Sequence, residues 1–199
     1  MGRGQRGKPR RRPTSAVSAA ADRGAVTVSP QVVAGCERAR QLVEEMVGAL
    51  ESPDDGLPPM LLLAGGDSGT RMIELDSDEL NDQAGLYRLL TESLPEAVAQ
   101  EGHPKLFALI LPVWAKPHDE PVPDSGNFAD HPLANEQISL YVGDHQGYTV
   151  TFADVHRYDN RPPLLSSWIG GPGTRWSAEY VVADALCHLI ATLHVLATV

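Results

Sequence analysis

Between residues 118 and 156 the chain gathers His118, Asp119, Glu120, Asp124, Asp130, His131, Glu136, Asp154 and His156. Imidazole nitrogens and carboxylate oxygens are ligands for zinc and other transition metals, and an ion with a vacant coordination position activates water for hydrolysis. The spacing fits no compact ligand motif, since neither His-Glu-x-x-His nor His-x-His occurs. His118 and His131 are the candidate metal ligands of this group. The type of side chain alone, without a spacing, does not call for a metal or any other cofactor.

A sharper pair comes from the segment 136–157. Ile138, Leu140 and Val142 alternate with polar residues, and Val150 and Phe152 continue the alternation after a turn holding Gly147. This is the period-2 pattern of a β-hairpin with one buried face. All five apolar residues carry even numbers, so a register that gathers them on one face pairs Val142 with Val150. His145, Gln146 and Gly147 then form a three-residue loop, with glycine at the left-handed position. The same register sets Leu140 opposite Phe152, Ile138 opposite Asp154, and Glu136 opposite His156. A carboxylate facing an imidazole across two strands orients and charges it, the arrangement of a general base for hydrolysis. Glu136 and His156 are therefore the candidate catalytic residues. A nucleophile and an oxyanion site are missing, and the same two side chains equally make a cross-strand ion pair that closes the hairpin.

Other motifs carry less. Gly65-Gly66-Asp67-Ser68-Gly69 lacks the Gly-Lys-Ser/Thr ending of a nucleotide loop and precedes a strand, so it reads as a hairpin turn. Gly170-Gly171-Pro172-Gly173 lies between Trp168 and Trp176, with Arg175 nearby. These three side chains, with Trp114, are candidates for binding a partner through a mobile, hinged loop. His188 and His194 are six residues apart and share no helical face as an i, i+4 pair would. No serine sits in a Gly-x-Ser-x-Gly elbow, and Cys36 and Cys187 lie among apolar neighbours as small core residues.

The elements that must position these residues follow from patterning. Ser29-Pro30 supplies an N-cap and a first-turn proline, and Val32, Cys36, Ala39, Val43, Met46 and Leu50 recur at helical spacing. Met60 to Ala64 and Arg71 to Leu75 read as two strands. A helix from about Asp78 to Val98 follows, kinked or divided at Pro95. Leu106 to Leu111 is nearly continuously apolar, the mark of a central strand covered on both faces. Residues 116–134 form a long Pro-rich acidic loop. The hairpin comes next, and Ser177 caps a last helix reaching Ala197 whose apolar residues cover more than one face. The order is helix-β-β-helix-β-β-β-helix. It predicts an α+β domain spanning 29–199, with a mainly antiparallel five-stranded sheet and helices packed on it.

Composition narrows the function classes. The chain has 199 residues, 42% hydrophobic and 21% charged, with a net charge of −10. Six basic and no acidic residues stand in the first twelve, leaving ten basic against twenty-six acidic in the rest, or −16. So acidic a body repels phosphates, and nucleic-acid contact is expected only through the basic tail at 1–28, which reads as disordered. No apolar run reaches the ~18 residues of a membrane span, and the stretch after Arg11-Arg12 is too polar for a secretory signal. A cytoplasmic protein is expected.

The element order resembles the roadblock/dynein-light-chain-type fold, a dimeric platform, and that likeness implies protein binding and self-association. Val113-Trp114, and His131-Pro132 followed by Glu136, also resemble segments of small bacterial and phage-encoded proteins; this likeness implies a fold and no activity. Together these features predict a protein-interaction module or homodimer. A hydrolase or metal-dependent enzyme working at Glu136 and His156 is the alternative.

Overall fold

Ser29 and Pro30 open the first helix for the reasons the sequence supplies. Ser29 has extended backbone angles, its Oγ accepts from the Val32 amide at 3.2 Å, and proline occupies a position whose amide needs no partner. The computed structural model describes residues 28–66, 69–76, 88–115, 120–121, 124, 128–173 and 181–197. Helix α1 (Pro30–Gly48) leads to strands β1 (Met60–Gly66) and β2 (Gly69–Glu74). A π-turn at Leu89–Ser93 runs into α2 (Leu94–Gln100). Then come β3 (Leu106–Ala115), a 3-10 turn at Phe128–Asp130, β4 (Asn135–Asp144), β5 (Gly147–Tyr158), β6 (Arg161–Leu165), β7 (Ile169–Gly170) and α3 (Val181–Ala197). The fold is α+β. No described helix is long and apolar enough to cross a membrane.

The sheet is antiparallel throughout, in the order β2-β1-β3-β4-β5-β6, with β7 pairing a second stretch of the β5 edge. Two strands thus appear beyond the expected five. Both lie between Arg161 and Gly170, a stretch bounded by Pro162-Pro163 and Gly170-Gly171 for which no strand was expected, and which is built into the edge of the sheet. Pro162 and Pro163 are tolerated in β6 because an outermost strand need not donate hydrogen bonds on both sides. Pro112 is accommodated similarly: β1 pairs only with 106–110 of β3, so beyond that point the strand has β4 alone as neighbour.

Helices cover both faces. On one, α1 buries Val32, Cys36, Ala39, Val43 and Val47 against Met60, Leu62, Ala108, Ile110, Ile138, Leu140 and Val142. On the other, Leu89, Leu94 and Val98 join Ala183, Leu186 and Ile190 of α3 over Leu61, Leu63, Phe107 and Leu109. Successive strand residues point to opposite faces, so a strand covered on both must be apolar at every position. The runs 60–63 and 107–110 meet that demand. Pro95 divides its helix as expected, with the π-turn ending where α2 begins. Residues 77–87, on which the start of that helix was placed, lie outside the described residues, as do 1–27 and Ser177.

The β4–β5 register differs by one residue from the parity argument. Val142 pairs with Thr149, Leu140 with Thr151, Ile138 with Ala153 and Gln137 with Asp154. Gly147 pairs with Asp144, leaving His145 and Gln146 as a two-residue loop. The even-numbered residues of β4 therefore face α1, while those of β5 face α3. Parity failed because it assumed a single buried face. Opposite Leu140 and Val142 stand Thr151 and Thr149, both buried, where the alternation anticipated aliphatic residues.

Candidate functional site

The side chains of α1 beside its buried stripe build a concave surface. Gln31, Ala34, Gly35, Arg38 and Leu42 follow one another at helical spacing and face Leu62, Ala64, Lys105 and Ala108. Helix α1 lies chiefly over β3, β4 and β6. Helix α1 packs on Met60 and Leu62 of β1, and among the described residues no helix lies squarely over the same face of β2. Small residues on both walls keep the gap open, and it encloses about 420 Å³. That is within the usual range for ligand sites, ~300–1,000 Å³.

Two glycines set the walls. A Cβ on Gly35 would stand 2.5 Å from Leu106 Cδ2, so glycine lets Leu106 close against the helix at one side of the groove. Gly65 sits at the end of β1 with φ +80°, a left-handed conformation natural to glycine, and a Cβ there would lie 3.1 Å from Lys105 Cβ. The Lys105 amide donates to Ala64 O at 2.9 Å. Gly66 pairs with Gly69 across the β1–β2 hairpin, while Asp67 and Ser68 of that motif lie outside the described residues; the Gly65 end of β1 places Lys105 at the groove. Arg38 and Lys105 are its only charged lining residues, and neither pairs with a carboxylate among the described residues.

On the opposite side of α1 the polar groups are consumed in a strap. Arg40 Nη2 donates to Thr151 Oγ1 at 2.8 Å and to Gly170 O at 2.9 Å, while Thr151 Oγ1 donates to Ile169 O at 3.0 Å. These bonds satisfy the buried threonine that misled the register. Arg40 also lies 5.8 Å from the centroid of the Trp168 ring, and Trp168 Nε1 donates to Glu44 Oε1 at 2.7 Å. Gly171, with φ +109°, admits the guanidinium, because a Cβ there would meet Arg40 Nη2 at 2.4 Å. Trp168 is therefore engaged in holding β7 to α1. Arg175 and Trp176, the other candidates from this loop, lie outside the described residues.

Glu136 and His156 do not face each other. Glu136 lies on the α1 side of the sheet, where its carboxylate accepts from Arg157 Nε at 2.5 Å and Nη2 at 2.7 Å. Arg157 Nη1 donates to Pro53 O at 2.6 Å and Asp55 O at 2.8 Å, tying the hairpin to the loop after α1. The Glu136 hydrogen bond, opposed in part by burial, raises the Arg157 pKa further. His156 is exposed on the other side, opposite Leu164 of β6. The one-residue change in register turns His156 to the other face and puts the odd-numbered residues of β5 on that of Glu136, where Arg157 reaches it diagonally.

The remaining candidates are dispersed. Trp114 is 45% exposed and stands across from Glu136. His131 is buried; its Nδ1 accepts from the Leu133 amide at 3.1 Å, and its Nε2 lies 4.0 Å from Glu120 Oε2. His118 lies outside the described residues. No three His, Cys, Asp or Glu side chains among the described residues group as metal ligands. Asp144 is nearly fully buried and caps the hairpin turn, accepting from the Gln146 amide at 2.7 Å and from Ser29 Oγ at 2.5 Å. His145 stacks on His194, ring centroids 4.6 Å apart. Burial, with Asp184 and Asp144 nearby, pushes the Cys187 thiol up to about 12, and burial likewise raises Cys36. Both shifts disfavour the thiolate, the reactive form.

No known protein-family profile, curated protein or solved structure matches this chain. The sequence signal for the groove is short: Ala34 and Gly35, adjacent small residues on the flank of α1's apolar stripe, between Gln31 and Arg38.

Proposed function

We propose that this protein is a binding module whose ligand occupies the groove between α1 and the β1–β3 end of the sheet. The observation that carries this reading is the groove itself: small, mainly apolar walls, an open mouth, and two cations at its rim. A cavity with an apolar lining and few convergent polar groups is a site for recognition. Bond making would need more, and Glu136, the carboxylate expected to orient His156, is engaged by Arg157 on the other face of the sheet.

The test uses 8-anilinonaphthalene-1-sulfonate, an apolar anion whose emission rises in a dry site. Saturable one-to-one binding is expected. Ala34→Trp fills the groove from an exposed helix position and should weaken that binding at least ~10-fold, the effect of losing an apolar contact of this size. Val33→Trp, one residue round the helix and 45% exposed, should leave it unchanged. Dye binding indifferent to Ala34→Trp, or no saturable binding, overturns the proposal.

A further inference from the structure

We propose that the occupant of the groove is an acidic amphipathic α-helix of a partner protein, lying alongside α1 over β1 and β2. This rests on the groove being the binding site and adds which chemistry it takes. The first argument is shape. The α1 wall runs from Gln31 to Leu42. At 1.5 Å per residue that is about 16 Å, or three turns of a second helix laid beside it. Alanines at 34, 64 and 108 allow a helix backbone to come close.

Backbone chemistry selects a helix over an extended peptide. The floor strands already pair with one another, β2 with β1 and β1 with β3. A strand pressed onto that face would find no ladder to join and would carry unpaired amides and carbonyls into an apolar surface. A helix satisfies those groups internally and presents only side chains. Layering points the same way. Among the described residues the opposite face of the sheet carries α2 and α3, whereas α1 is the helix on this one.

Charge selects an acidic partner. Arg38 and Lys105 stand at the rim with no carboxylate among the described lining residues, on a chain whose net charge is −10; Glu74, on the same face of β2, stands opposite Met60 at the other end of β1 from Lys105. An acidic helix is repelled by most of this surface and attracted here, which gives orientation as well as affinity. The first twelve residues of the chain, with six basic and no acidic side chains, have the wrong sign to compete for this rim.

The experiment measures fluorescence anisotropy of labelled 16-residue peptides with the full chain. One peptide carries leucine at i, i+3, i+4, i+7 and i+11, with flanking glutamates. Its twins replace glutamate by lysine, or break the helix with a central proline. The acidic helix should bind at least ~10-fold tighter than either twin, and more weakly as salt rises. Ala34→Trp should abolish the binding. The double variant Arg38→Glu/Lys105→Glu, built on two exposed side chains, should weaken the acidic helix about tenfold and favour the lysine twin. Equal binding of the lysine or proline twin overturns the inference, as does indifference to both variants. Displacement of the dye by decanoate but not by the acidic helix marks a small-anion site and also overturns it, leaving the groove intact as a binding site. A dimer seen by sedimentation that Ala34→Trp dissociates would assign the groove to a second copy instead.

Discussion

Replacing Glu136 by Gln and His156 by Gln separates two hairpin registers that differ by a single residue. In the observed register Glu136 accepts two charge-assisted hydrogen bonds from Arg157, with side-chain exposures of 15% and 33% for the two partners. Exposed ion pairs contribute ~0.2–1 kcal/mol, whereas breaking a buried one costs ~3–5 kcal/mol. A partly covered bidentate pair falls near the upper end of the first range. Glu136→Gln keeps one acceptor and loses the charge, so it should cost about 1 kcal/mol. Arg157→Ala also leaves Pro53 O and Asp55 O without their donor and should cost about 2 kcal/mol. His156 is exposed and makes no bond to Glu136, so His156→Gln should change stability by less than ~0.5 kcal/mol. In urea denaturation this appears as a midpoint shift at constant slope; in thermal melts it is roughly 2–4 °C per kcal/mol for a chain of this size. A double-mutant cycle completes the test, with coupling of about 1 kcal/mol between 136 and 157 and none between 136 and 156. Coupling between 136 and 156, with additivity between 136 and 157, would refute the register and every face assignment derived from it.

Two further outcomes follow from packing and burial. A Cβ on Gly143 would lie 2.6 Å from ring carbons of the fully buried Phe107 and 2.7 Å from Tyr148 Cβ, so Gly143→Ala should destabilise by about 1–3 kcal/mol in denaturant unfolding. Gly48→Ala, which meets nothing within 4 Å, should instead stabilise by up to ~1 kcal/mol; the same sign for both would contradict the packing. The Cys187 thiol, raised from 9.0 to about 12, favours the folded state while protonated. Its contribution is complete below about pH 9 and is lost as pH climbs toward 12, by at most ~1.4 kcal/mol per pH unit. Unfolding midpoints between pH 8 and 10.5 should fall more steeply for the native chain than for Cys187→Ala, and parallel curves would show the thiol to be solvated.

Element type was legible wherever a local rule operates. Ser29-Pro30 announces a helix start because the cap and the missing amide concern neighbouring atoms. The continuous apolar run 106–111 announces a two-sided strand because both faces of its backbone must be buried. Residues 161–170 escaped for a related reason: prolines and glycines read as loop locally, yet an edge strand tolerates them when the rest of the sheet supplies the pairing. The candidate site was less legible. Glu136 meets Arg157 and not His156 because a threonine buried under Arg40 looks, in sequence, like a surface residue, which shifts the inferred register.

The sequence by itself determined the class of the fold, the main helices and strands, and the absence of a compact metal or nucleotide motif. These depend on periodicity, capping and spacing, which act over a few residues. Only the tertiary structure decided which face each strand residue takes, that Arg157 rather than His156 meets Glu136, and that Ala34, Gly35 and Arg38 of α1 share a groove with Ala64 and Lys105. Those are relations between segments as much as 130 residues apart, Arg40 and Gly170 among them. They are set by how helices share the two faces of the sheet, a choice that no local pattern records.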